Sequence, residues 1–253
     1  MRIRAVAEAA PAALLASCIV PLFFFSAAAG AVTISTLFNT GVNGSGVALP
    51  DSWVPDPHYE MITVPGGATT ATRVIHVPGG FPADNYFDPS STTYTGSRWI
   101  LAVNPSAQPD EDGMPGGNYT FRTTFDLTGL DPSSARIDGM WSTDDSGVDI
   151  RLNGTSLSAL AGSSLTLPAS PGYNGFVDFV VASGFLAGAN TLDFLVYNTP
   201  QQGGNPVGLR VDMEGTANVV PLPAAAWLLL SGFAGFVALG RRRAGEERAG
   251  TEA

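Results

Sequence analysis

Between residues 31 and 217 the chain repeats one short phrase. Six to nine apolar or alternating residues are followed each time by a break rich in Gly, Pro, Asn or Asp. Ten such runs can be read: "AVTISTLF", "HYEMITV", "TRVIHV", "SRWILAV", "YTFRTTFDL", "ARIDGMWS", "VDIRLNG", "GFVDFVV", "NTLDFLVYN" and "VGLRVDMEG". Runs of this length, bounded by turn residues, are strands rather than helices. In "TLDFLVY", Leu192, Phe194 and Val196 alternate with Asp193, Leu195 and Tyr197, the period of two that buries one face of a sheet. Asn153-Gly154 between two runs predicts a type I′ hairpin, because both residues tolerate positive φ. "ASGFLAG" around Phe185 predicts a turn and no helix, and Trp99 and Trp141, inside strand runs, are expected in the core. The fold class expected is all-β, a β-sandwich.

The two ends read differently. "MRIRAVAEAAPAALLASCIVPLFFFSAAAG" has Arg2 and Arg4, a long apolar stretch and then small residues, the layout of a signal peptide. Ala27 and Ala29 fit the small-x-small cleavage pattern, so residues 1–29 are read as leader, with a cut after Ala29 or close by. An uncleaved N-terminal anchor is the alternative. Cys18 is the one cysteine and lies in this leader. "LASC" resembles a lipoprotein cleavage box, but the apolar "IVPLFFF" that follows favours a leader residue. The exported part therefore has no disulfide.

At the other end Ala224 to Leu239 carries no charge; at 1.5 Å per residue it spans about 24 Å. With its flanking residues it is about 20 residues long, enough to cross a bilayer. The spanning helix is placed at 222–240, with Trp227 near the outer interface and Arg241, Arg242 and Arg243 held inside by the positive-inside rule. The sandwich, residues 30–218, would then face away from the cytoplasm, and residues 244–253 form a short tail.

The order at this end, "VPLPA" at Val220, Pro221, Leu222, Pro223 and Ala224, then the apolar run, then the arginines, resembles the PEP-CTERM sorting signal of Gram-negative bacteria. The resemblance spans residues 219–243, with Leu222 where a Glu usually stands. It implies recognition by an exosortase, a membrane protease that cuts near the proline motif, after which the exported domain passes to the cell surface or beyond. A second resemblance covers most of residues 35–216. "WSTDDSGVDIRLNGTSL" followed by "GFVDFVVASGFLAGANTLDFLVYN" and "GLRV" looks like the second half of a galactose-binding-like jelly roll, an accessory fold of glycosidases. It implies a jelly-roll sandwich; Gly188 and Asn190 would then form the turn before the penultimate strand, and "NTL" would start that strand.

Charge narrows the partners. Residues 30–220 hold six Arg against eighteen Asp and Glu, a balance of −12, and the chain has no Lys. Such a surface repels phosphate backbones, so no nucleic-acid partner is expected. No G-x-S-x-G, H-E-x-x-H or C-x-x-C is present, and no residue is singled out as catalytic. Two histidines occur, His58 at a strand entry and His76 on a solvent face. The chain is read as a non-enzyme. "DDSGVD", with Asp144, Asp145 and Asp149, and "PDEDG", with Asp110, Glu111 and Asp112, are oxygen-rich enough for a structural Ca2+. The same residues also make turns by capping their own backbone, which is the reading preferred. Jelly rolls of the type resembled often hold one structural calcium. Loop aromatics, Trp53, Tyr86 and Tyr173 above all, are the candidates for stacking on a sugar ring. The function expected is that of an exported structural or adhesive protein of the envelope or extracellular polymer. The alternatives are a carbohydrate-binding module and a glycan-active hydrolase.

Overall fold

A computed structural model of the chain describes residues 30–50, 54–67, 71–74, 96–103, 114–167, 172–201 and 205–221, together with Leu229, Gly232 and Phe233. Twelve strands are described: β1 (Ala31–Thr33), β2 (Tyr59–Thr63), β3 (Ala71–Val74), β4 (Ile100–Val103), β5 (Gly117–Asp126), β6 (Arg136–Asp144), β7 (Ser146–Leu152), β8 (Thr155–Ser156), β9 (Ser164–Leu165), β10 (Val177–Val181), β11 (Ala189–Asn198) and β12 (Gly208–Asn218). Up to Pro221 the described residues hold no α-helix, only short 3-10 turns. Each of the ten runs contains one strand. The two extra strands, β8 and β9, have two residues each and carry no readable periodicity.

The strands form two antiparallel sheets. One has the order β3-β4-β12-β6-β10-β9, with β1 also on β12; the other has the order β2-β5-β11-β7-β8. The pairings nest: β4 with β12, β5 with β11, β6 with β10 and β7 with β8. Each nested pair joins an earlier strand to a later one in reverse order.

Alternation then decides the core. Leu192, Phe194 and Val196 on β11 are fully buried, whereas Tyr197 on the opposite face is 39% exposed. Phe194 is the meeting point of the sheets. Its ring lies 6.0 Å from that of Trp141 on β6, 5.9 Å from Phe179 on β10 and 6.3 Å from Tyr59 on β2. Each such side chain contributes about 1.5–3 kcal/mol by leaving water. Gly139 makes room for this cluster: a Cβ there would fall 2.4 Å from the Phe179 ring. The β7–β8 turn is the hairpin expected, with Asn153 at φ 51° and Gly154 at φ 83° between the paired Leu152 and Thr155.

The free edge of β12 is shared. β4 pairs with its start and β1 with its end. Between them the chain from Ile34 to Thr40 completes the ladder, partly with side chains. The Val211 amide donates to Thr40 Oγ1 (3.0 Å) and the Met213 amide to Asn39 Oδ1 (2.7 Å). Asn and Thr at these positions satisfy backbone groups that an apolar side chain would leave unpaired.

Candidate functional site

The C-terminal segment read as a sorting signal can be followed as far as Pro221. Asn218 closes β12 opposite Ala31; its amide donates to Ser134 Oγ (2.8 Å) and its carbonyl accepts from the Asp131 amide (2.8 Å). Val219 bridges Leu130, and the Val220 amide donates to the Gly129 carbonyl at 3.0 Å. The backbone is thus held through the first residue of the proline motif, while the side chains of Val219 and Val220 are 43% and 49% exposed and Pro221 is exposed. Leu222, Pro223, Ala224 and Arg241 to Arg243 lie outside the described residues, as do Ala27 and Ala29. Leu229, Gly232 and Phe233 are helical, with Leu229 and Phe233 exposed. Among the described residues no helix is long and apolar enough to cross a membrane; most of 222–240 is outside them.

A second feature lies on the outer face of the seven-stranded sheet. There Trp99, Leu101 and Val103 form a small buried cluster, and Tyr173, from the 3-10 turn Gly172–Asn174, packs on it half-buried. Beside it Arg210 of β12 is 1% exposed. Its Nε donates to Ser97 Oγ (3.0 Å), its Nη2 to the Ser97 carbonyl (2.9 Å), and its guanidinium sits 5.6 Å over the Phe176 ring. Asp212, two residues on, accepts from Asn39 Nδ2 at 3.2 Å. Burial pushes the Asp212 carboxyl above its ordinary value of 3.8, against hydrogen bonds from Ser97 and Asn39 and the charge of Arg210. Tyr173 thus packs on the Trp99 cluster, with Phe176 of the Arg210–Phe176 pair on the same chain segment. Trp53 and Tyr86 lie outside the described residues.

The aspartates weighed as a cation site against a turn-capping role lie on different elements. Asp144 ends β6 in the seven-stranded sheet, 4% exposed, whereas Asp149 lies on β7 of the other sheet. Asp145 Oδ2 accepts from the Thr199 amide (2.7 Å); Asp149 binds Arg151 Nε (2.8 Å) and Ser156 Oγ (2.7 Å). The chain changes sheets between them, so sequence proximity is not convergence. Among the described residues no three His, Cys, Asp or Glu side chains gather as a metal site. Asp110, Glu111 and Asp112 lie outside those residues.

His58 stacks on Phe38 with ring centroids 3.7 Å apart and planes 10° apart. Its Nε2 is buried and unbonded among the described residues, so nothing there presents it to a substrate. Its neighbour Asp56 was not singled out by the sequence. The Asp56 carboxylate, 6% exposed, accepts from the amides of Gly41 (2.6 Å), His58 (2.7 Å) and Tyr59 (2.9 Å). Burial raises its pKa above 3.8 despite those bonds. The signal available was Asp two residues before a strand entry, the position of an Asx turn. His76 lies outside the described residues. Asn190 builds its turn as expected, its side chain bonding Leu186 and Gly188 and also Asn153. No family model, no curated protein and no solved structure matches this chain.

Proposed function

We propose that the chain is an exported structural or adhesive protein of a Gram-negative envelope or extracellular polymer. An N-terminal signal peptide delivers it, a C-terminal helix holds the precursor in the inner membrane, and an exosortase-type protease processes it at the proline motif. The observation that carries this reading is the fixed order of Val220–Ala224, an uncharged run and Arg241–Arg243. The exposed Val220 and Pro221, at the point where β12 leaves the sheet, support it by leaving the start of the motif open to a protease. The test is the double variant Pro221→Ala/Pro223→Ala in the native host. The full-length form should accumulate in the membrane fraction; an unchanged mature size and location would refute recognition of the motif.

The sandwich is proposed to be a jelly roll of the galactose-binding-like kind. The nested pairing β4–β12, β5–β11, β6–β10 and β7–β8 supports it, since rolling up four stacked hairpins gives that order. The same likeness favours a second reading, a glycan-binding module, with the Tyr173 patch as its stacking surface. Glycan-array binding of residues 30–221, with and without Ca2+, should be lost in Tyr173→Ala and largely kept in Tyr173→Phe, which retains the stacking ring; an array with no signal removes this second reading. We propose no catalytic role.

A further inference from the structure

One end of the sandwich gathers features that the sorting reading does not itself require. The connection from β5 to β6, residues 127–135, and the connection from β10 to β11, residues 182–188, both cross between the sheets there, tied by the Leu127 amide to the Gly188 carbonyl (2.9 Å). The Asn153-Gly154 hairpin joins them through Asn153 Nδ2 to the Gly184 carbonyl. β1 begins at the same end, Ala31 opposite Asn218, and β12 leaves there. Both flanks of the folded domain therefore emerge side by side. Around them stand four exposed apolar side chains: Val32 at 40%, Leu186 at 55%, Val219 at 43% and Val220 at 49%. The nearby acids cap their own turns at the surface, Asp126 Oδ1 accepting from Thr128 and Asp131 Oδ1 from Ser133, with Asp126 exposed and Asp131 half-buried.

Reach fixes what this end must face. The backbone is pinned at the Val220 amide. The spanning helix proposed above begins at Leu222, two residues on, which is about 7 Å of fully extended chain. The headgroup layer on one side of a bilayer is itself about 5–8 Å thick. On the sorting reading, with β12 intact, no room is left for the domain to stand clear of the lipid. We propose that this end of the sandwich, with Val32, Leu186, Val219 and Val220 around the 127–135 connection, rests on the lipid headgroups in the membrane-held precursor. It is also the face that the sorting protease meets, because the proline motif begins at Val220, where β12 leaves it.

The full-length chain carrying Cys18→Ser, reconstituted in phosphatidylcholine vesicles with a shallow lipid-borne quencher, tests this. An environment-sensitive probe is placed on Leu186→Cys or, in a separate variant, Val32→Cys, both on exposed side chains. Thr199→Cys, exposed at the opposite end beside Asp145, is the control. Quenching several-fold stronger at Leu186 and Val32 than at Thr199 is the expected result. If the chain floats with the vesicles but all three probes are equally unquenched, the lipid-facing end is wrong and the membrane-anchor reading stands. If the chain does not float with the vesicles, the anchor reading fails and this proposal with it.

Discussion

On the outer face of the five-stranded sheet, Glu60, Arg122, Asp193 and Arg151 stand in register across four strands, each opposite a charge of the other sign. Arg122 and Asp193 make a two-pronged ion pair at 2.6 and 2.8 Å. On the outer face of the seven-stranded sheet, Arg210 is buried and Trp99, Leu101 and Val103 are covered by the chain around Tyr173. One sheet is finished against water with a row of charges, exposed at Glu60 and Arg151, with Asp193 buried between Arg122 and Arg151. The other is roofed, so at β4 and β12 it is the middle of three layers. Hence β4 is buried at all four positions, Ile100 and Ala102 in the main core and Leu101 and Val103 under the roof. Alternating hydrophobic residues mark a strand with one wet face; a continuous apolar strand such as "ILAV" marks one with none.

The contrast predicts a ranking of stabilities, measured by urea unfolding of residues 30–221. The roofed face should be the more sensitive. Trp99→Ala should cost about 3–5 kcal/mol, as large aromatic truncations in cores do. A loss close to that of a surface substitution would mean that the roof carries no load. Arg210→Ala should cost about 3 kcal/mol, because it strips a buried charge network of its cation, and adding Asp212→Asn should restore part of that loss. Strictly additive losses would show that the two side chains are not coupled. Asp193→Ala, on the wet face, should cost about 1 kcal/mol, shrinking in high salt, since Arg122 remains partly solvated.

The smallest effect is one of pH. Asp56 and Asp212 have raised pKa values in the fold. Protonation therefore favours the folded state: their contribution is complete below the unfolded value of about 3.8 and is lost as pH rises through the folded values. The urea midpoint should rise on going from pH 7 towards 4, and Asp212→Asn should flatten that rise. An unchanged slope in the variant would remove Asp212 from the account.

What the sequence made legible was the strands and one turn. Period two placed Phe194 inside and Tyr197 outside because a strand's geometry leaves no other choice. Asn153-Gly154 announced its hairpin because few residues accept positive φ at both positions. The roof was not legible. Alternation in "GLRVD" says that Arg210 and Asp212 face away from Leu209 and Val211, but not that another segment covers them. Burial of a polar face is set by distant chain, here residues 97–99 and 172–176. The spatial placing of the aspartates of "DDSGVD" was not legible for a related reason, since the step from one sheet to the other falls between Asp144 and Asp149. Of the proposed sorting segment, most residues lie beyond those described.

β12 also bears on how the protein is made. Among the described residues it is the last strand in chain order and an interior strand of its sheet, with β6 on one side and β4 and β1 on the other. Until residues 208–218 arrive, the described strands of that sheet are separate pieces, β1, β3-β4 and β6-β10-β9, which β12 joins. Closing it requires contacts between the two extremes of the sandwich, the slowest kind to form. A nascent chain of this design stays threadable until β12 is delivered, and a product truncated before Gly208 should be digested rather than stored.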